Sequence, residues 1–295
     1  MDVVITYVNG LDPLWQQEYA RVVGMDTFLA KRFRDWGTLP YLLRGIERFM
    51  PFVENVFLVV SGESQVPAWV DRNRLRVVLH SDIIPSELLP VFNASAIEMF
   101  LHRIPGLSEE YVYMNDDLFP VAPCTAEDFF RGGRPVLWMK KQYLVLGNGF
   151  RYLVKHSSDF ARKAAGLGPS LTYLRPQHVS TPMLKSLCAR LFESNEKAVC
   201  ESVTPLRERS NYNQYLYSTY AFYSGMSERG KLSNRHFSLA VASIGKICDF
   251  LRNPDRKFAC INDVQMAEEK FTAYRKALTE AFEERFPEKS RFELQ

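Results

Sequence analysis

The sequence lacks the features that identify membrane-spanning, disulfide-rich and zinc-binding proteins. Among its 295 residues no apolar run approaches the length of a membrane span, and Met1 leads directly into "DVVITYVNG" without a signal segment. The five cysteines form no C-x-x-C pair and are odd in number, and the five histidines form no H-E-x-x-H motif. We therefore expect a cytoplasmic chain whose cysteines are mostly reduced.

An excess of one charge and the glycine-rich motifs of common nucleotide-binding enzymes are also missing. The chain carries 37 lysines and arginines against 34 acidic residues, and this formal charge of +3 is not the signature of a nucleic-acid-binding protein. Neither G-x-x-x-x-G-K-[ST] nor G-x-G-x-x-G occurs, which argues against P-loop kinases and nicotinamide Rossmann enzymes. No G-x-S-x-G elbow of a serine hydrolase is present.

What the sequence does contain is a series of short apolar runs that end in small or acidic residues. These runs are residues 2–10, 55–62, 75–82, 111–117 and 257–263. Their continuous, β-branched character suits strands buried on both faces, as in a parallel sheet covered by helices. Apolar residues at helical spacing predict helices over 39–49, with Thr38 as N-cap, and over 93–104. The predicted fold class is therefore α/β, a mostly parallel sheet covered by helices in a Rossmann-like or GT-A-like arrangement.

The middle of the chain is less regular and is predicted to form a cap-like insertion, at about residues 124–205. The run "QYLVLGNGFRYLV" predicts a hairpin around Gly147–Gly149. Two short helices are expected in the same region, the second with Thr181 as N-cap and Pro182 at its first position. Helices are also expected over 213–225 and 264–286. Because no repeat, low-complexity tract or linker is found, the chain is predicted to be one domain over 1–295.

Oxygen-bearing side chains gather where the predicted strands end: Asn9, Asp12, Asp82, Asn115, Asp116, Asp117, Asn262 and Asp263. In open α/β sheets ligands bind at the carboxyl ends of strands, and Mg²⁺ and Mn²⁺ take carboxylate oxygens together with phosphate oxygens. The alternative is that each is only a turn residue, which is the better interpretation for Asp82. Asp116 and Asp117 repel one another unless a cation neutralises them, so this pair predicts a site for a metal and a diphosphate.

Histidine and arginine residues supply candidate acid–base and phosphate-binding groups. His178 lies in a loop before a predicted helix, where an imidazole can act as a general base or contact a phosphate; a surface histidine without a role is the alternative. Arginine pairs occur at Arg32 and Arg34 and at Arg207 and Arg209. Either pair could hold a diphosphate through planar guanidinium groups or could form a solvated face.

Several segments in order along nearly the whole chain carry a family resemblance. They are "DVVITYVNGLDP" (2–13), "RFRDWGTLPYLLRGIERFMPFVENVFLVV" (32–60), "VPAWV", "HSDIIP", "LPVFNASAIEMFLHRIPGLSEEYVYMNDDLF" (89–119), "RPQHVSTPMLK" (175–185), "RERSNYNQ" (207–214) and "FACIND" (258–263). Together they resemble the Stealth family, which comprises bacterial capsular and exopolysaccharide phosphotransferases and the catalytic part of the animal lysosomal-enzyme N-acetylglucosamine-1-phosphotransferase.

The resemblance implies an activity and a set of site residues. The implied reaction moves a hexose 1-phosphate from a UDP-sugar to a sugar hydroxyl, releasing the nucleoside monophosphate and leaving a phosphodiester in a capsular or exopolysaccharide. The implied metal ligands for Mg²⁺ or Mn²⁺ are Asp116, Asp117, Asn262 and Asp263, and the implied catalytic residues are His178, Arg209 and Asp117. The implied substrate-binding residues are Asn9, Asp12, Arg34, Asp35, Asn93, His102 and Arg103. Many relatives have R-x-R-S-x-x-D where this chain has Asn213, so no charged role is expected there.

The residues alone leave two other functions open. A metal-dependent glycosyltransferase would use the same pocket to transfer the sugar without its phosphate, and a catalytically inactive relative would bind carbohydrate without turnover. The expected partners are a nucleotide-sugar donor and a glycan or lipid-linked glycan acceptor, but not nucleic acid. The basic helices leave open a loose peripheral association with the inner face of an anionic membrane.

Overall fold

The chain folds into a mixture of α-helices and β-strands, which a computed structural model describes over residues 1–24, 33–143 and 149–294. The α-helices in these residues are α1 (Pro13–Val23), α2 (Leu39–Phe49), α3 (His80–Ile83), α4 (Ala94–Glu98), α5 (Gly149–Ala164), α6 (Lys185–Glu193), α7 (Glu196–Glu201), α8 (Tyr215–Tyr223), α9 (Ile244–Arg252) and α10 (Glu268–Arg285). The strands are β1 (Asp2–Thr6), β2 (Val56–Val60), β3 (Leu75–Leu79), β4 (Glu110–Asn115), β5 (Leu118–Pro120), β6 (Phe130–Arg131), β7 (Arg134–Leu137), β8 (Met139–Tyr143), β9 (Thr172–Pro176), β10 (Thr181–Leu184), β11 (Glu228–Arg229), β12 (Asn234–Ser238) and β13 (Phe258–Asn262). Within the described ranges, no helix combines the length and the apolar character needed to cross a bilayer.

The principal sheet has five strands in the order β10, β4, β1, β2 and β3, and it is mostly parallel. Strand β10 is the antiparallel exception, pairing with β4 so that Thr181 lies opposite Tyr113 and Leu184 opposite Glu110. Every residue of β1 and of β2 is buried. Burial on both faces explains why these strands are continuous apolar runs rather than alternating ones, and the predicted α/β class is confirmed.

The last predicted strand forms where it is expected but in another sheet. Strand β13 pairs in parallel with β12 and antiparallel with β5. The sequence predicts neither partner, because "LFP" and "NRHFS" are too short or too polar to signal buried strands. The apolar run of β13 would suit either sheet, so periodicity alone could not assign its neighbours.

Two predictions in the middle of the chain are wrong. The second half of the predicted hairpin is helical, because α5 begins at Gly149; residues 144–148 lie outside the described part of the chain. Tertiary packing accompanies this outcome, because Val154 of α5 joins Tyr173 and Tyr215 in a buried cluster. Thr181 is not a helix cap either, since it opens β10 and α6 begins only at Lys185. Pro182 is accepted because β10 is the terminal strand of its sheet, where a missing N–H is tolerated.

One further helix is shorter than predicted, and another is not predicted at all. Residues 93–104 do not form one helix, because α4 ends at Glu98 and a separate 3₁₀ turn covers Leu101–Arg103. Helix α1 is not predicted, although Asp12 caps it by accepting a hydrogen bond from the backbone N–H of Leu14 and Pro13 starts it.

Helix α2 follows its prediction closely and packs tightly against β5. Its apolar face buries Leu42, Leu43 and Ile46, although the Thr38 side chain makes no capping hydrogen bond. Gly45 lies against β5, where an added Cβ atom would be 2.5 Å from the carbonyl oxygen of Pro120. Only glycine allows the helix to approach the strand this closely.

Residue contacts divide the chain into two compact units. The first unit comprises residues 1–4, 78–113 and 127–231, and the second comprises residues 5–77, 114–126 and 232–295, of which residue 295 and residues 25–32 are outside the described part. The first unit contains the Val154, Tyr173 and Tyr215 cluster. In the second, Tyr41 stacks on Phe282 with 5.1 Å between ring centroids. The prediction of a single domain over 1–295 with an insertion at about 124–205 stays a prediction.

Candidate active site

The second unit contains a cavity with four carboxyl groups in its wall. They belong to Asp35, which precedes α2, to Asp116 and Asp117, which form the turn between β4 and β5, and to Asp263, which follows β13. The cavity wall also includes Arg34 and Tyr7. Four acids against one arginine make this an acidic cavity, and each acid lies at the end or start of a regular element, as ligand-binding residues in α/β proteins commonly do.

The pairing of β5 with β13 fixes the positions of two acids of this cluster, Asp117 and Asp263. Cys260 of β13 lies opposite Leu118 of β5, and the backbone N–H of Ile261 donates to the carbonyl oxygen of Asp117 at 2.9 Å. The Cys260 thiol lies 3.6 Å from Oδ2 of Asp117. Because these bonds join the start of β5 to the end of β13, they hold Asp117 and Asp263 at the same edge of the sheet.

The surroundings of Asp116 disfavour the ionised form of its carboxyl group. Burial raises the pKa of its carboxyl group to about 7, and the negative charges of Asp117, Asp35 and Asp263 add to the rise. Burial also raises the pKa of Asp263, with Trp36 and Arg34 opposing that rise only in part. The fold therefore holds mutually repelling carboxylates close together, and a bound cation would remove this repulsion.

Tyr7 is a cavity residue that the sequence did not reveal. Burial and the charges of Asp35 and Asp116 raise the pKa of its hydroxyl group well above the ordinary range, and it is hydrogen-bonded to Asp35. It therefore stays protonated and acts only as a neutral donor. The sequence feature that could have identified Tyr7 is its position: it follows Ile5 by two residues, at the end of the first predicted strand, and strand ends are where the acids also lie.

Arg34 is held in place by three contacts. Its guanidinium forms an ion pair with Glu268 at 2.7 Å, donates to the carbonyl oxygen of Met266 at 3.3 Å and lies 4.6 Å over the ring of Phe271. Asp35 next to it accepts the backbone N–H of Gly37 at 2.8 Å. The partner predicted for this arginine, Arg32, lies outside the described residues.

The fit of these residues to a divalent cation can be judged from their donor set. Asp35, Asp116, Asp117 and Asp263 present hard carboxylate oxygens, which are the donors that Mg²⁺ and Mn²⁺ prefer. Burial and three neighbouring carboxyl groups raise the pKa of Asp116, and Arg34 is the one basic residue among the described residues of the cavity wall. The residues therefore fit a divalent metal. Asn262, the remaining predicted ligand, ends β13, and its carbonyl oxygen accepts the N–H of Leu239 at 3.1 Å.

Asn9 and Asp12 belong to the second unit but are engaged in local structure. Oδ1 of Asn9 accepts the N–H of Leu11 at 2.9 Å. Asp12 accepts hydrogen bonds from Leu14 at 3.0 Å, Gln65 at 2.7 Å and Ser64 at 2.5 Å. Although burial raises the pKa of Asp12, these hydrogen bonds lower it overall. They fix the turn that follows β1, and the substrate-binding roles of both residues stay predictions.

The first unit contains a buried acid that the sequence analysis did not single out. Glu98 of α4 is 5% exposed, and its carboxylate accepts the hydroxyl of Tyr113 at 3.1 Å and the N–H of Gln214 at 2.8 Å. Burial raises the pKa of Glu98, while the hydrogen bonds and the charges of Arg207 and His178 act in the other direction. A lone acid on the apolar face of "NASAIEMF" was the available signal.

His178 and Arg209, the predicted catalytic pair, both lie in the first unit. Nδ1 of His178 lies 3.5 Å from the hydroxyl oxygen of Tyr215, and the guanidinium of Arg209 lies 4.9 Å over the ring of Tyr152. Asn213, found where many relatives have an acid, is buried and accepts the hydroxyl of Ser157 at 3.1 Å. An amide suits this neutral setting, because a carboxylate there would be buried without a cation among these contacts.

The other three predicted substrate-binding residues of the first unit have structural contacts. Asn93 caps α4 by accepting the N–H of Ala96 at 3.0 Å. His102 is buried 4.9 Å from the ring centre of Phe192, and burial lowers its pKa to about 4. Arg103 lies 5.0 Å over the same ring and pairs with Glu196 at 3.5 Å. Their roles in substrate binding stay predictions.

Comparison with known proteins matches this chain to one family. The family model described as Stealth protein CR2, conserved region 2, matches residues 32–136, and that described as Stealth protein CR4, conserved region 4, matches residues 249–295. The capsular polysaccharide phosphotransferase WcwK of Streptococcus pneumoniae is 32% identical over 100% of this chain and 99% of its own. The receptor polysaccharide phosphotransferase WefC of Streptococcus oralis is 33% identical with the same coverage of both chains. The exopolysaccharide phosphotransferase cps2G of Lactiplantibacillus plantarum is 27% identical over 99% of this chain and 96% of its own.

Among solved structures, the galactosyltransferase LgtC in complex with donor and acceptor sugar analogues covers 94% of this chain and 96% of its own. The sequence identity is 11% and the TM-score is 0.40.

Proposed function

The chain belongs to the Stealth family, and from that membership we propose that it is a phosphotransferase of polysaccharide synthesis. In the proposed reaction a hydroxyl group of a glycan acceptor attacks the phosphorus atom that bears the hexose of a UDP-sugar. The new bond joins the acceptor oxygen to that phosphorus, the bond to the bridging oxygen breaks, and UMP leaves. The product is a hexose joined to the acceptor through a phosphodiester.

The observation that carries this proposal is the cluster of four carboxyl groups in the second unit. Asp116 has a pKa raised to about 7 by burial and by its acidic neighbours, which means that the cavity favours a cation over further negative charge. Mg²⁺ or Mn²⁺, held by Asp35, Asp116, Asp117 and Asp263, would neutralise a diphosphate bound there. Tyr7 stays protonated, and its single O–H donates to Asp35, which holds that carboxylate in the cavity wall. A diphosphate-linked donor therefore fits the cavity better than an uncharged sugar does.

We assign acid–base and phosphate-binding work to the first unit. His178 accepts the proton of the attacking hydroxyl. Arg209 stabilises charge on the transferring phosphoryl group through its permanently charged guanidinium. The Tyr152 ring beneath Arg209 supports this role by restricting where the guanidinium can lie.

The donor, acceptor and location are proposals that complete this function. We propose a UDP-sugar as donor and a glycan or lipid-linked glycan as acceptor, with the reaction on the cytoplasmic side of the membrane. The names of the relatives concern capsular polysaccharides, receptor polysaccharides and exopolysaccharides, which supports a polysaccharide as the end product here.

The test is to identify the nucleotide that leaves the donor. The purified chain is incubated with Mn²⁺ or Mg²⁺, a panel of UDP-sugars and glycan acceptors, and the released nucleotide is separated by chromatography. UMP together with a phosphodiester-linked product is expected. UDP would show attack at the anomeric carbon instead and would make the protein a glycosyltransferase.

Two variants connect the result to the cavity. Asp117→Asn removes one cavity carboxylate, and Asp249→Asn makes the same change at an exposed residue of α9 whose side chain is 81% exposed. Loss of UMP release is expected only in the first. Equal turnover of both variants would overturn the assignment of the cavity as the donor site.

A further inference from the structure

The middle of the chain concentrates positive charge that the rest of the chain lacks. Residues 134–175 contain eight lysines and arginines and one acid, Asp159. Their formal charge is +7 in a chain whose total is +3, so the remaining residues together carry −4. Asp159 is already paired with Lys155. This asymmetry is invisible in the total charge and marks a local surface suited to an anionic partner.

Three of these eight cations lie on a two-stranded ribbon formed by β8 and β9, which we call the basic ribbon and define as residues 138–143 and 171–175. Lys140 lies directly opposite Arg175, and Lys141 lies opposite Leu174. In the part of the chain that the structure describes, none of these three cations takes part in an ion pair. Like charges directly opposite one another destabilise an antiparallel pair, and an anion bound over them would relieve that repulsion.

Exposed apolar side chains are interleaved with these cations. Trp138 is 49% exposed, Tyr143 is 68% exposed and Leu171 is 87% exposed. Lys141 and Tyr143 are two residues apart and share one face of the ribbon, and Trp138 and Lys140 share the other, so each face carries a lysine beside an exposed aromatic side chain. Exposed tryptophan and tyrosine beside lysine is the composition of side chains that lie at the interface between lipid headgroups and acyl chains.

We propose that the basic ribbon docks this protein on an anionic lipid bilayer. Lys140, Lys141 and Arg175 attract the negative headgroups, while Trp138, Tyr143 and Leu171 enter the interface. The largely exposed Leu171 favours lipid over a soluble anionic glycan, since an aliphatic side chain is stabilised most when it leaves water for an apolar phase. The proposal goes beyond the phosphotransfer reaction, because docking needs neither donor nor turnover.

Cosedimentation with vesicles measures the docking directly. The full chain is mixed with vesicles of phosphatidylcholine alone or of phosphatidylcholine with phosphatidylglycerol, in the absence of any UDP-sugar. Binding is expected only with phosphatidylglycerol and is expected to weaken as salt is raised, because headgroup attraction is screened. Each basic residue near an anionic membrane contributes about 1 kcal/mol, so Lys140→Glu with Lys141→Glu should lower the partition coefficient at least tenfold.

The matched control reverses two exposed lysines outside the ribbon, Lys246 of α9 and Lys276 of α10. Lys246→Glu with Lys276→Glu changes the net charge by the same amount and should leave vesicle binding near the wild-type level. Equal losses in the two double variants would show that total charge, not the ribbon, controls binding and would overturn the proposal. Thermal unfolding of all variants verifies that they are folded.

Tryptophan fluorescence provides a second measurement that does not depend on charge. Of the four tryptophans, Trp138 is the exposed one, whereas Trp15 is buried and the other two are half-buried. Vesicles should shift the emission to shorter wavelength in the wild type and not in Trp138→Phe. A ribbon that bound polygalacturonate but not vesicles, with binding lost in the ribbon variants, would be a glycan surface and would refute the lipid assignment.

Discussion

The hydroxyl of Tyr113 donates a hydrogen bond to Oε1 of Glu98 across 3.1 Å, in the interior of the first unit. The other oxygen of Glu98 accepts the N–H of Gln214 at 2.8 Å. Both carboxylate oxygens therefore accept, and an amide in the same place would turn one acceptor into a donor that faces another donor.

Glu98→Gln should for this reason lower the free energy of unfolding by about 1–3 kcal/mol, the cost of an unsatisfied buried polar group. Tyr113→Phe should cost about 1 kcal/mol because one hydrogen bond is lost. Denaturant unfolding of both single variants and the double variant measures the coupling between the residues. A coupling energy near zero would show that the hydrogen bond does not contribute to stability.

Gly45 provides a prediction about packing in the second unit. Alanine favours a helix over glycine by about 1 kcal/mol, yet Gly45→Ala should destabilise the protein by about 1–3 kcal/mol. The reason is that the new Cβ would lie 2.5 Å from the carbonyl oxygen of Pro120, a backbone atom that cannot move aside freely.

Gly245 in α9 is the matched control for this substitution. No heavy atom lies within 4 Å of its would-be Cβ, so Gly245→Ala should leave stability unchanged or raise it by up to about 1 kcal/mol. Denaturant unfolding of the two variants compares them. The same sign of effect in both would contradict the close approach of α2 to β5.

The sequence predicts those elements whose residues respond to local rules. The buried strands β1, β2 and β4 are largely apolar runs, and α2 has a wide apolar stripe, so both kinds of element can be recognised without knowing their neighbours. Asp116 and Asp117 are equally recognisable, because adjacent acids after a buried strand have few structural explanations.

Features that depend on distant partners are not predictable in the same way. Thr181 and Pro182 resemble a helix start, but the exposed edge of β4 pairs with them and makes them a strand. In the sequence, Tyr7 is only one of several aromatic and apolar residues in its run. Its place in the acidic cavity depends on Asp35, which is 28 positions away. Glu98 likewise has the sequence context of an ordinary helix residue, and its buried hydrogen bonds depend on the distant Gln214 and on Tyr113.

Acid sensitivity should arise from buried histidines. Burial lowers the pKa of His80 to about 4, and within the described residues its Nε2 has no hydrogen-bond partner. The unfolded chain takes up a proton near pH 6.5 while the folded chain does not, so stability is lost as pH falls from about 6.5 toward 4. His102 shows the same direction, with a pKa of about 4.

Between pH 7.5 and pH 5, each of these histidines should lower the free energy of unfolding by about 2 kcal/mol. In His80→Gln the free energy of unfolding should therefore fall by about 2 kcal/mol less between these pH values than in the wild type, whatever the effect of the substitution at neutral pH. Denaturant unfolding of wild type and variant at the two pH values gives the comparison. An unchanged pH dependence in the variant would mean that His80 takes up its proton in the folded state as readily as in the unfolded one.

His178 is expected to contribute to the chemical step more than to binding. A positioned general base typically contributes about 10²- to 10⁴-fold, so His178→Ala should lower kcat for UMP release by a factor in that range with little change in KM for the donor. His156→Ala provides the comparison, because His156 stacks on Tyr212 at 4.4 Å in the same unit without an assigned role. Steady-state kinetics separates kcat from KM. Equal values of kcat for the two variants would remove His178 from the mechanism.

Cation binding should stabilise the second unit through Asp116. At pH 8 this carboxyl group, whose pKa is raised to about 7, is ionised and repelled by Asp117, Asp35 and Asp263. Mn²⁺ at a hundred times its Kd should add about 2.7 kcal/mol of stability, which calorimetry would detect as a rise in Tm. Asp116→Asn should raise Tm without metal, since it removes one of the repelling charges, and should abolish most of the Mn²⁺-dependent rise. Asp249→Asn, on the exposed face of α9, should retain the full rise, and a full rise in Asp116→Asn as well would place the cation somewhere other than this cluster.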